Sequence, residues 1–103
     1  MPILQTWETE QLPGYQPITF DDWLLGLPEE EQQRYWKARA RADALRQKAI
    51  DEGRMIITLD GYVWKDQASL QVGKKNDDEC LDFFTRFNAE TGKVKKGVYK
   101  EIP

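Results

Sequence analysis

Three acidic clusters and one basic run are the groups in this sequence whose types and spacing suit chemistry. Asp21 with Asp22, Glu29 to Glu31, and Asp77, Asp78 and Glu79 each set carboxylates side by side. Such groups suit Mg2+ binding or proton transfer. The first two stand where helices are expected to begin, and the positive end of a helix dipole favours acids there. The third falls in an expected loop, where solvated charge is the ordinary state. Cys80, the one cysteine of the chain, follows directly. No histidine is present to activate it, so a buried core thiol is expected in place of a reactive one.

The missing residue types narrow the chemistry further. Without histidine, the commonest general base and the commonest transition-metal ligand are both gone. A lone cysteine does not build a structural zinc site, which takes four Cys or His ligands. The chain has no Walker A sequence, no G-x-G-x-x-G and no G-x-S-x-G. The expectation is a protein with no catalytic residue, no metal and no cofactor. A carboxylate- or Mg2+-dependent enzyme built on Asp77, Asp78 and Glu79 is the lesser alternative.

The basic run is the feature that invites a partner. Arg34, Lys37, Arg41 and Lys48 recur at helical spacing and fall on one arc, with Arg39 and Arg46 on the other side of the apolar stripe. Such an arc suits an acidic protein surface or the phosphates of a nucleic acid. The plainer reading is that long basic side chains border the core stripe with their stems and pair with acids of the same chain. Trp36 lies off that stripe, and tryptophan is enriched at interface hot spots. It is expected either at an interface or packed beneath the N-terminal segment. Arg34, Trp36, Lys37, Arg41 and Lys48 are therefore the candidate partner-binding residues. The expected partner is another protein or a second copy of this chain, with nucleic acid second.

The whole chain sets the frame for these groups. It has 103 residues and a net charge of −3, suited to one domain and not to a dedicated DNA binder. Four each of Trp, Tyr and Phe argue for a folded chain. The first residues, Met1 to Trp7, lack the basic start and apolar run of a secretory signal. No stretch approaches the roughly 20 apolar residues of a membrane span. A single cysteine permits no internal disulfide, which points to a reducing compartment. The expectation is a cytoplasmic protein with no membrane partner.

The elements that must position the candidates follow from period and punctuation. Pro2, Pro13, Gly14 and Pro17 predict an extended or irregular arm over 1–18, pinned by Trp7 and Tyr15. Thr19 with Asp22 resembles a capping box and opens a short helix that ends near Gly26. Pro28 and three glutamates open a long helix closed by Gly53. Its stripe of Tyr35, Ala38, Ala42, Leu45 and Ala49 is amphipathic, and its alanines permit close approach. Met55 to Lys65, broken by Asp60-Gly61, predict a β-hairpin with a two-residue type I′ turn. Ala68 to Val72 suit a short strand and 73–78 a loop. Residues 80–87 fit both a helical and a strand period. The strand is preferred, with 88–92 as a hairpin loop and Lys93 to Lys100 as its partner.

The expected fold is therefore α+β in one domain. An irregular arm (1–18) precedes a helical part (19–53), and 54–103 are mainly β. The short and long helices pack on a small antiparallel sheet. A homodimer is compatible with an exposed hairpin edge and an alanine-rich helix.

Residues 19–34 carry one resemblance. Phe20, Asp22, Trp23-Leu24, Pro28 and Gln32 resemble a segment of phage head-morphogenesis proteins of the Mu F-like type, where an aromatic, an acidic residue, Trp-Leu, Pro and Gln stand at these spacings. The Leu-Gly-Pro-x-Arg that follows in that family is replaced by Trp36-Lys37-Ala38-Arg39-Ala40. The resemblance implies a phage or prophage origin and carries no active site.

Overall fold

Pro2 and Pro13 bracket a stretch free of proline and glycine, rich in Ile, Thr and Trp, and that stretch is a strand. The computed structural model describes residues 1–103. In chain order the elements are β1 (Ile3–Gln11), α1 (Phe20–Leu25), α2 (Glu29–Asp51), β2 (Met55–Ile57), β3 (Tyr62–Trp64), α3 (Gln67–Asn76), α4 (Asp78–Thr91) and β4 (Lys93–Glu101). The strands form one antiparallel sheet in the order β2-β3-β1-β4. The chain is thus α+β, with a long helix packed on a small antiparallel sheet.

Several expectations need correction. The N-terminal arm is not irregular over 1–18, because its prolines all lie outside Ile3–Gln11 and block no ladder hydrogen bond. β1 is an inner strand, paired with β4 along its whole length from Ile3↔Glu101 to Gln11↔Lys93. Residues 68–72 are helical: Asp66 is the N-cap of α3, and its carboxylate accepts the Ser69 N–H at 2.8 Å. Residues 73–78 are likewise no loop, since they end α3 and begin α4.

Residues 80–87 lie within helix α4, not a strand. Asp78 and Glu79 occupy its first turn, and Gly92 ends it in a left-handed conformation. Cys80, Phe83, Phe87 and Thr91 are its buried residues, at helical spacing, while Leu81 and Thr85 are exposed. The predicted strand partner of Lys93 to Lys100 is therefore β1. The segment 54–103 is divided between strands and two helices, not mainly β.

The hairpin at Asp60-Gly61 forms, with a different turn. Ile57 pairs with Tyr62 and Met55 with Trp64 across a four-residue connection, Thr58 to Gly61. The Thr58 N–H donates to the Gly61 carbonyl at 2.8 Å, and its hydroxyl donates to the same oxygen at 3.1 Å. Only Gly61 has positive φ, 156°, so the turn is not type I′, which needs it at two residues. A side chain at Gly61 would also meet the Gln5 carbonyl oxygen at 2.1 Å.

Helix α2 runs as expected from Pro28 to Gly53, and Thr19 caps α1 by accepting the Asp22 N–H. Its stripe serves two cores. Tyr35, Ala38 and Ala42 pack with Trp23, Leu24, Cys80, Phe83 and Phe87 of α1 and α4. Ala49 packs with Ile3, Met55, Trp64 and Leu70 of the sheet and α3. The long helix thus covers the sheet only with its C-terminal end, and the helix pair α2 and α4 forms the other half of the interior.

Candidate functional site

The basic candidates on α2 all reach the surface, and most find partners within the chain. The Arg41 guanidinium pairs with Glu79 at 3.2 Å, and Lys48 lies 3.9 Å from Glu52. Arg34 stands over the Phe83 ring at 4.9 Å. The flanking Arg39 binds Asp43 and donates to the Tyr35 hydroxyl. Arg46 binds both Asp43 and Asp77. Helical spacing brings the basic groups to one side, but it also brings them against the acids of α4 and of their own helix. Such exposed pairs contribute only about 0–1 kcal/mol each, yet they answer the charges of Arg41 and Lys48. Lys37 alone of the candidate cations has neither an acid nor a ring beside it. Trp36 stands 54% exposed, touching Tyr35 edge-on at 5.2 Å. The N-terminal segment does not cover it, being strand β1 of the sheet.

The third acidic cluster is divided by its helix turn. Asp77 faces Arg46 at 3.2 Å, Glu79 faces Arg41, and Asp78 is exposed in the first turn of α4. Burial raises the Asp77 carboxyl above its ordinary range despite the attraction of Arg46. Its neighbour Cys80 is buried, and burial, with the Asp77 charge, pushes that thiol up as well. Of these residues Asp77 alone lines a recess of about 10 Å³ between α2 and Trp64, room for about one water. No group of three Cys, Asp and Glu side chains gathers at metal-binding distance.

The sheet carries a surface that reasoning from the sequence missed. Side chains directly paired across strands share a face. The register puts Met55, Trp64, Tyr62 and Ile3 on one face, against the helices. Leu4, Ile56, Val63 and Val98 lie on the other. None of these four belongs to a buried cluster, and Ile56 is 56% exposed. An uncovered face of an antiparallel sheet is ordinarily polar, yet here its centre is apolar. Glu8, Glu10, Lys96 and Lys100 share this face on β1 and β4. The available signal was a stretch from Ile3 to Gln11 free of proline and glycine, hidden by the prolines on either side.

Comparisons with family models, curated proteins and solved structures give no match. The functional reading therefore rests on these surfaces. No helix is long and apolar enough to cross a membrane.

Proposed function

We propose that this is a non-catalytic binding protein that docks another protein on the uncovered face of its sheet. One observation carries the reading: Leu4, Ile56, Val63 and Val98 form an apolar centre on a face that no helix covers. Charges of both signs, Glu8, Glu10, Lys96 and Lys100, stand beside that centre. An apolar centre with a charged rim is the usual anatomy of an interface. The partner is then a protein surface with its own apolar centre and mixed charges around it. Trp36, half exposed, and Lys37, beside neither an acid nor a ring, offer a second, smaller contact on α2. The ion pairs of Arg41 and Lys48 and the ring contact of Arg34 favour protein over nucleic acid as the partner. With the resemblance over 19–34, the reading extends to a phage- or prophage-encoded protein that works in the cytoplasm.

The test is parallel affinity capture with the wild type and with Ile56→Glu/Val98→Glu, both checked for native circular dichroism. Sedimentation of the purified chain separates a second copy from a foreign partner. The reading expects a defined partner, or a dimer, that the double variant loses. A partner held equally well by the folded double variant would contradict it.

A further inference from the structure

Beyond β3, the strands β1 and β4 continue as a two-stranded ribbon, and the helix-facing side of that ribbon holds two lysines without acids. Lys93 and Lys95 lie opposite Gln11 and Thr9. The acids of β1 are out of phase with them: Glu8 and Glu10 lie opposite Lys96 and Val94 and so point to the other face. None of the seven ion pairs of the chain involves Lys93 or Lys95. Their ammonium groups lie beside aromatic rings. Lys95 lies 5.4 Å from the Trp7 ring centre and 5.5 Å from that of Phe84, and Lys93 lies 5.8 Å from Phe87.

A recess of about 160 Å³ opens beneath these lysines. Its floor is aromatic: Phe20 stacks on Phe84 at 4.3 Å and meets Phe87 edge-on at 5.4 Å. Asn88 of α4 and Thr9 add polar groups at the wall. An apolar cavity of about 150 Å³ accepts a benzene-sized guest. A lone ring would leave the two cations unanswered, and a bare inorganic anion would leave the aromatic floor wet. The chemistry that satisfies both is a flat apolar body carrying one carboxylate.

We propose that this recess is a binding site for a small aromatic monocarboxylate, with the ring on Phe20, Phe84 and Phe87 and the carboxylate between Lys93 and Lys95. Loss of water around the Lys95 amine, and the nearby charge of Lys93, lower its pKa. An incoming anion would offset both effects by stabilising the charged amine. The site is separate from the open sheet face, since Lys93 and Lys95 point to the opposite side from Lys96 and Lys100.

The experiment is an amide NMR titration of the full chain with phenylacetate, benzyl alcohol and acetate in parallel. Phenylacetate should give saturable shifts centred on Thr9, Asn88, Lys93 and Lys95. Benzyl alcohol, which lacks the charge, and acetate, which lacks the ring, should each bind about tenfold more weakly or worse. Lys95→Met should weaken phenylacetate by a similar factor, while Lys100→Met on the other face should leave it unchanged. The proposal is overturned by phenylacetate shifts that do not saturate, by equal binding of the three probes, or by unaltered binding to Lys95→Met. The probe comparison on the wild type decides the matter even where a variant folds poorly.

Discussion

A methyl group added at Gly73 would stand 2.2 Å from the Trp64 indole. Helix α3 reaches the sheet because this position carries no side chain. Trp64 has no freedom to retreat: it is buried, and its indole N–H donates to the Gln5 side chain of β1 at 2.8 Å. One contact therefore ties α3, β3 and β1 together.

Gly73→Ala should accordingly destabilise the protein although alanine is the better helix former. Overpacking costs about 1–3 kcal/mol, against about 1 kcal/mol gained in helix propensity. A contact as short as 2.2 Å belongs to the upper part of the overpacking range, so urea unfolding should show a net loss of about 1–2 kcal/mol. Gln71→Ala, at an exposed position of the same helix, should not lower the midpoint. A Gly73→Ala protein as stable as the wild type would mean that α3 does not rest on Trp64.

The hairpin tip and the α1 core should respond in opposite ways to loss of a leucine side chain. Leu59 is fully exposed at 108% relative area, whereas Leu24 retains 2%. Leu24→Ala should cost about 2–5 kcal/mol. Leu59→Ser should change thermal stability by no more than about 0.5 kcal/mol. Comparable losses from both would refute the placement of Leu59 outside the core.

Acid stability tests the caps and ion pairs. The Ser69 N–H holds the Asp66 carboxyl below its ordinary range, and the Arg86 guanidinium does the same for Glu31. For both groups the unfolded chain takes up protons first as pH falls. Their stabilisation is present above the unfolded values, 3.8 and 4.5, and is lost as pH drops through the lower folded values. Asp77 has the opposite sign. Its folded pKa is raised by burial, so the folded state takes up the proton first and gains stability as pH falls toward 3.8. Melting curves from pH 7 to about pH 3 should therefore fall less steeply for Asp66→Asn and more steeply for Asp77→Asn. Parallel curves for all three proteins would contradict these assignments.

The legible parts of the fold were those whose local signals agreed. In α2, Pro28, the glutamates, the Tyr35–Ala49 stripe and Gly53 all point to one helix, and one helix forms. Strand β4 was legible as a strand, but its partner was not. The error at 80–87 came from reading Asn88 to Gly92 as a hairpin loop, which tipped an ambiguous period toward the strand, whereas Gly92 ends α4. Burial of Cys80, Phe83 and Phe87 against Tyr35 selects the helical period. The N-cap Asp66 and the acids at Asp78 and Glu79 were the available helix signals. β1 was hidden because prolines flank it without entering it. That error concealed Leu4 and its whole sheet face. It also concealed the alternation that leaves Lys93 and Lys95 without acids. The basic arc on α2 was legible as an exposed flank, and Lys48 with Glu52 is an i,i+4 pair that spacing gives, but the pairing of Arg41 with Glu79 depends on the packing of α4 against α2.

The central claim is that the protein binds a partner through the uncovered face of its sheet. The most direct measurement is site-specific photo-crosslinking in the native host, followed by mass spectrometry. A photoreactive residue replaces Ile56 or Val98 on that face, or Gln47 on the exposed side of α2. The account predicts one discrete adduct, shared by the Ile56 and Val98 positions and absent at Gln47. Adducts at Gln47 with none at Ile56 or Val98 would contradict it.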